Sequence, residues 1–294
     1  MSLSSHSAPV ARPHGASPDT DRDDSELVIR PTKGWIAIDW AELARGRELL
    51  YFLAWRDIKI RYKQTVLGAA WAILQPLFTM MIFTVIFGNF AKIPSDGVPY
   101  PLFVFAGLMP WTFFANGVNT AGMSLVTQQQ LLTKIYFPRL FVPTSAVGGQ
   151  LVDLGITLAL FGVLLALFRF APSWQVVFLP AILAMTVVAT LGLGYFLAAL
   201  TVQYRDFRFV IPFMIQTLMY VSAVFYSVNL LSPGYRLLLS LNPMCGLITA
   251  CRSAVLGTPW DLPMLAISSV VALGMLALGL FYFRKTERRF ADIA

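Results

Sequence analysis

Charge is what this sequence has least of. Asp, Glu, Lys and Arg make up only 13% of its 294 residues, whereas 57% are hydrophobic. A soluble domain usually carries about 25% charged residues, so this apolar surplus excludes an ordinary water-soluble globule and requires a non-aqueous solvent. Cysteine is nearly missing too. Cys245 and Cys251 are the only two, too few for a disulfide framework or a zinc site. On one helix, six residues of rise would hold them about 9 Å apart, beyond easy disulfide reach. The two histidines, His6 and His14, both lie in the polar N-terminal stretch. The apolar part contains no Ser/His/Asp set, no HExxH and no paired carboxylates, so no catalytic cluster is expected. Neither a GxxxxGK[ST] motif nor a strand–loop–helix pattern offers a nucleotide site. If ATP drives this protein, another polypeptide binds it. Residues 1–40 lack an apolar h-region, so no signal peptide is expected. Their acidic stretch from Asp19 to Glu26 reads as a disordered cytoplasmic tail.

What the chain does have is long uncharged runs. None of the four charged types occurs at 64–91, 98–133, 170–204, 209–235 or 262–283, and between Leu140 and Phe168 the one charge is Asp153. A span needs about 20 apolar residues, so the runs predict six membrane helices, near 65–91, 98–119, 143–168, 174–200, 209–231 and 263–283. Period-2 alternation is lacking, which argues against strand spans. The fold expected is all-α and integral to a membrane. An amphipathic interface helix at 41–64 precedes a transmembrane domain at 65–283, and a cytoplasmic tail follows at 284–294. The long linker 229–262, with Pro233, Gly234, Pro243 and Gly246, predicts one or two short re-entrant helices between spans five and six. No internal repeat is visible, which weakens an inverted-repeat secondary transporter.

The net charge of +7 is no sign of nucleic-acid binding, because the basic residues flank apolar runs and form no groove-sized cluster. They fix orientation instead. With a cytoplasmic N-terminus, Arg45, Arg47, Arg56, Lys59, Arg61, Lys63, Lys134, Arg139, Arg205, Arg208, Arg284, Lys285, Arg288 and Arg289 fall inside. Only Lys92, Arg169, Arg236 and Arg252 fall outside. Both termini are then expected in the cytoplasm.

Three kinds of residue could carry function. From Arg47 to Lys63 the apolar Leu50, Leu53, Ala54, Ile58 and Tyr62 recur at helical spacing among charges, which suggests a helix lying in the interface. It is either a positive-inside anchor or a docking surface, and Asp57 among basic neighbours favours docking. Three spans carry aromatic–polar faces: Trp71, Gln75, Phe78, Thr79 and Ile82; Thr112, Asn116 and Asn119 beside Trp111 and Phe114; and Phe213, Gln216, Tyr220 and Ser227. Rings can stack on sugar C–H groups and amides can bond hydroxyls, so such walls suit a sliding glycan. The alternative is an interfacial aromatic belt with helix-packing amides. Asp153, the one acid within a span, is expected to face helices or water and to serve as a structural hydrogen-bonding group. A lone acid makes a poor proton relay, which disfavours a secondary transporter or a membrane enzyme.

Four ordered blocks then show a resemblance. WRDIKIRYKQTVLGAAWAILQPL (Trp55–Leu77), LLTKIYFPRLFVPTSAVGGQLVD (Leu131–Asp153), VQYRDFRFVIPFMIQTLMYVSAVFYS (Val202–Ser227) and LNPMCGLITACRSAVLG (Leu241–Gly257) resemble the polysaccharide-export permeases of the type-2 ABC transporter family, over roughly residues 45–285. The chain departs from that pattern at Thr249, Ala250, Cys251 and Ser253, where acidic, glycine and aromatic residues are usual, and at Ala223, where proline is common. The resemblance implies a homodimer in the cytoplasmic (inner) membrane, with two copies of a separate ATPase below. That ATPase would hold ATP and magnesium, while this chain would bind no cofactor. Arg56, Asp57, Lys59 and Arg61, together with Gln130, Lys134, Tyr136 and Arg139, would contact the ATPase. An O-antigen-, capsule- or teichoic-acid-like glycan on a lipid carrier would pass between the copies, lined by Trp71, Gln75, Phe78, Thr112, Asn116, Phe213, Gln216 and Tyr220. Export of a drug or a simple lipid is the alternative within the same class.

Overall fold

The computed structural model describes residues 46–63, 68–129 and 137–287. All belong to the unit Ile38–Ala294; the other unit, Met1–Ala37, lies outside the described residues. Among the described residues the elements are helical and there is no strand. They are α1 (Arg47–Lys63), α2 (Gly68–Phe83, prolonged by a π-helix at Thr84–Phe90), α3 (Tyr100–Thr127) and α4 (Phe141–Leu167). A 3-10 turn (Trp174–Phe178) leads into α5 (Leu179–Gln203), and α6 (Phe207–Val221), α7 (Pro233–Ser240), α8 (Pro243–Leu256) and α9 (Leu262–Glu287) follow.

Five helices are long and apolar enough to cross a membrane: Ala70–Phe90, Tyr100–Thr127, Phe141–Leu167, Trp174–Gln203 and Leu262–Glu287. They coincide with five of the six predicted spans. The predicted fifth span, 209–231, is shorter than expected: α6 is a 15-residue helix that stops at Val221. Ser222 caps it, and Ala223 follows with φ of 54°. Proline holds φ near −65° and could not adopt this turn, so the helix ends in a left-handed stop at Ala223. The run 209–235 is free of charge throughout, and that signal cannot reveal a helix break.

Span two is longer than expected, reaching Thr127 instead of 119. In its polar end Ser124 and Thr127 satisfy their hydroxyls on the carbonyls of Ala121 and Met123, at 2.6 and 2.9 Å. Likewise α9 runs on to Glu287, into the expected tail. The linker 229–262 holds two short helices, α7 and α8, that meet at 110°. Asn242 caps α8 by accepting the Met244 N–H at 3.0 Å, and Gly257 closes it at φ 73°. Both cysteines lie in α8, buried and free.

The middle of the bundle is α3, buried along most of its length between Leu102 and Leu125. It packs on α2, α4, α5 and α8, and its Phe103, Phe105, Met109, Trp111 and Phe114 are core residues. By contrast α2 is peripheral, with most of its side chains outside the core. On the face predicted from spacing, α1 lies against α4: Leu53 is buried, and Ala54 and Ile58 approach Gly148 and Gly149. The other side of α1 is not purely charged. Tyr51, Phe52, Trp55 and Ile60 are exposed there, as befits a helix lying in a lipid headgroup layer.

Candidate functional site

Four helices turn polar stripes toward one another. Trp71, Gln75 and Thr79 of α2, Thr112, Asn116, Asn119 and Thr120 of α3, and Gln150, Asp153 and Thr157 of α4 surround a cavity of about 490 Å³. Arg61 and Tyr62 of α1 close one side. Spacings of three and four residues put each set on one helix face. Ala72, Pro76, Phe113 and Leu154 complete the wall. Pro76 has no N–H, so it leaves the Ala72 carbonyl without its usual helical donor. Polar groups at membrane depth gather where protein or water, not lipid, surrounds them, and this cavity is that place.

Asp153 is its electrostatic centre. Arg61 forms an ion pair with it, and the Tyr62 hydroxyl donates to its other oxygen. Arg61 also donates to the Gln150 side-chain oxygen at 3.0 Å. The Gln150 amide reaches Thr120 at 3.4 Å. Burial first, then the bond to the Asp153 carboxylate and its charge, push the Tyr62 phenol well above its ordinary range. Tyr62 therefore remains a proton donor. The acid that looked isolated in sequence is thus paired, and its partners come from the interface helix 91 and 92 residues away. Replacing Arg61 with Gln strands that carboxylate. The pair is partly exposed, so the expected cost is about 1–2 kcal/mol, between that of surface and buried pairs. Thermal unfolding of the detergent-solubilised protein measures it, and adding Asp153→Asn should recover much of the loss.

The channel residues predicted from sequence divide into two groups. Trp71, Gln75, Thr112 and Asn116 meet in the cavity. Phe78, Phe213, Gln216 and Tyr220 do not; they lie exposed on α2 and α6, Phe213 at 71% and Tyr220 at 55%. Trp111 and Phe114, read as neighbours of the second polar face, pack into the core with ring centroids 5.7 Å apart. The far end of α2 meets the chain beyond α6 through rings: Phe87 stacks on Phe225 at 4.9 Å, and Tyr220 meets Phe225 edge-on at 5.7 Å.

The expected docking residues are scattered. Arg56 bonds its neighbour Asp57 at 2.8 Å, Lys59 is exposed, and Arg61 turns to the cavity. Arg139 donates to the Glu287 carbonyl at 2.8 Å, joining the start of α4 to the end of α9. Gln130, Lys134 and Tyr136 lie outside the described residues. Spacing alone had not linked Tyr62, Gln150 or Thr157 to a site, although Gln150, Asp153 and Thr157 follow helical intervals.

One further polar centre stands apart. Arg252 of α8 is 3% exposed. It donates to the carbonyls of Phe103 at 3.1 Å, Ala223 at 2.8 Å, Tyr226 at 3.3 Å, and Val224. Its guanidinium also lies 3.7 Å from the centre of the Phe103 ring. Gly107 makes room, since a Cβ there would approach Arg252 to 2.6 Å. The unwound chain after α6 is fastened at this point.

A family model described as ABC-2 type transporter matches residues 48–256, from the first turn of α1 to the end of α8. The chain belongs to the ABC-2 type transporter family. This ABC-2 protein is 31% identical to the O-antigen export system permease protein RfbA of Myxococcus xanthus, over 84% of this chain and 96% of that protein. It is 26% identical to an O-antigen export system permease protein RfbA of Klebsiella pneumoniae, over 84% and 95%. The polysialic acid transport protein KpsM of Escherichia coli is 23% identical over 68% of this chain and 78% of its own length. The ABC-2 protein is therefore a multi-pass membrane protein, and its cavity lies wholly within the matched segment.

Proposed function

We propose that this ABC-2 protein is the permease subunit of an exporter that moves lipid-linked polysaccharide of the O-antigen type across the cytoplasmic membrane. The observation that carries the reading is the near full-length similarity to permeases named for O-antigen export, reaching 31% identity. The same relatives favour a glycan over a drug or a simple lipid. Both termini lie in the cytoplasm, as the basic residues around α1 and beyond α9 favour. Two copies pair, and the glycan passes between exposed α2 and α6 faces that carry Phe78, Phe213, Gln216 and Tyr220. A separate ATPase hydrolyses ATP. It docks on the charged side of α1, at Arg56, Asp57 and Lys59, and on the 130–139 segment with Gln130, Lys134, Tyr136 and Arg139.

The test replaces Phe78, Phe213 and Tyr220 together by alanine in cells that make the glycan. These side chains are exposed, so the protein should stay abundant in membranes. Surface polysaccharide should fall about tenfold, as expected when about 1.4 kcal/mol of stacking is lost along the path. Undiminished surface polysaccharide at normal protein abundance would refute the wall.

A further inference from the structure

We propose that the cavity between α1, α2, α3 and α4 is a saccharide subsite within a single protomer, selective for uncharged pyranose units. It rests on the glycan-exporter reading and adds to the path between copies a second set of contacts, offered by α1, α2, α3 and α4. The glycan would then meet two stations: this polar cavity, and the exposed α2–α6 faces.

The hydrogen-bonding inventory of the wall carries the inference. Among the described residues, the side-chain amides of Gln75, Asn116 and Asn119 have no protein partner. Each offers two donors and an acceptor. The threonines behave oppositely. Thr79, Thr120 and Thr157 spend their protons on the carbonyls of Gln75, Asn116 and Asp153, at 2.9, 2.8 and 2.7 Å. As hydroxyl oxygens they can still accept, although that of Thr120 already takes the Gln150 amide at 3.4 Å. Donors and acceptors in alternation match a sugar hydroxyl, which gives one proton and accepts others. Trp71, 56% exposed, adds an indole face for the C–H side of a pyranose ring.

Charge argues for neutral sugars. Among the described lining residues the acid and the base are Asp153 and Arg61, and they form an ion pair with each other. An acidic sugar or a phosphate would compete with Asp153 for Arg61 and bring a second negative charge beside that carboxylate. A volume of about 490 Å³ falls within the about 300–1,000 Å³ of small-molecule pockets, enough for a sugar unit and parts of its neighbours.

The experiment puts a reporter thiol at Ala72→Cys in the full chain, reconstituted in lipid nanodiscs. The native Cys245 and Cys251 are buried and stay silent toward a charged methanethiosulfonate reagent. Maltotriose and mannotriose serve as neutral probes and trigalacturonate as the acidic one. At twice its dissociation constant, a neutral trisaccharide should slow labelling about threefold. Trigalacturonate should not, and Trp71→Ala should abolish the protection while Trp71→Phe keeps part of it. A thiol the reagent never reaches, equal protection by the acidic probe, or protection surviving Trp71→Ala would each overturn the subsite. In cells the two readings separate. If deleting the whole chain leaves surface glycan intact, the exporter reading fails. If deletion removes the glycan but Trp71→Ala leaves both its amount and its chain length unchanged, the subsite alone fails.

Discussion

Replacing Arg252 with alanine should destabilise the protein by about 3–5 kcal/mol, the largest loss expected from any single side chain here. Four of the five N–H groups of the guanidinium are committed to backbone carbonyls, three of them from residues 223, 224 and 226, just past α6. Those carbonyls have left the α6 ladder, and Arg252 is what satisfies them. Alanine would strand several buried acceptors at once, and each costs about 1–3 kcal/mol when unsatisfied. It would also open a void beside Phe103 and Gly107. Lysine retains the charge but lacks the planar fork, so Arg252→Lys should lose about half as much. Thermal unfolding in detergent reads both. For a bundle of this size the alanine variant should melt roughly 10 °C below the wild type. A shift under about 2 °C would show that the segment past α6 holds its own turn.

The second large effect is expected at Gly279, on α9. A Cβ at this position would overlap the Gly192 carbonyl of α5, and a Cβ on Gly192 would lie 2.6 Å from the Leu276 N. The two helices touch backbone to backbone here. Small residues allow such approaches within membranes, where apolar side chains alone give helices little reason to associate. Two effects oppose each other in Gly279→Ala. Alanine is the better helix former by about 1 kcal/mol. Overpacking costs about 1–3 kcal/mol, or more when the obstacle is backbone that no rotamer change can move. The clash should win, giving net destabilisation of about 1–2 kcal/mol for alanine and loss of folded protein for valine. Gly274 on the same helix is the control, because a Cβ there meets nothing within 4 Å. Gly274→Ala should be neutral or stabilising. If the two alanine variants melt together, the close crossing is not what positions α9.

Much of the architecture was legible because lipid imposes a coarse rule. Charge-free runs located five of the six spans, four of them within a few residues while span two runs on to Thr127, and the turn-forming residues of 229–262 foretold the two short helices. The break after α6 escaped, because Ser222 and Ala223 carry neither charge nor proline and the stop depends on Arg252, a contact made across the fold. The candidate site was half legible. Spacing put Trp71 with Gln75, and Thr112 with Asn116, on single faces, and those faces do converge. It could not show that Phe78 diverges from them onto the outer face of α2. Nor could it pair Asp153 with Arg61, since only tertiary packing of α1 on Gly148 and Gly149 brings them together. Trp111 and Phe114 have the residue types of a sugar wall, yet α3 is buried nearly all round, so they became core.

The shortness of α6 bears on the membrane itself. Fifteen residues at 1.5 Å each reach about 22 Å, against a hydrocarbon layer of about 30 Å. The mismatch of about 8 Å falls where the chain leaves the helix at 222–227, a stretch whose peptide groups find partners inside the protein. Where α6 lines the proposed path, a hydrophilic polymer sliding past Phe213 and Tyr220 would meet a helical apolar wall about a quarter shorter than the bilayer core is thick.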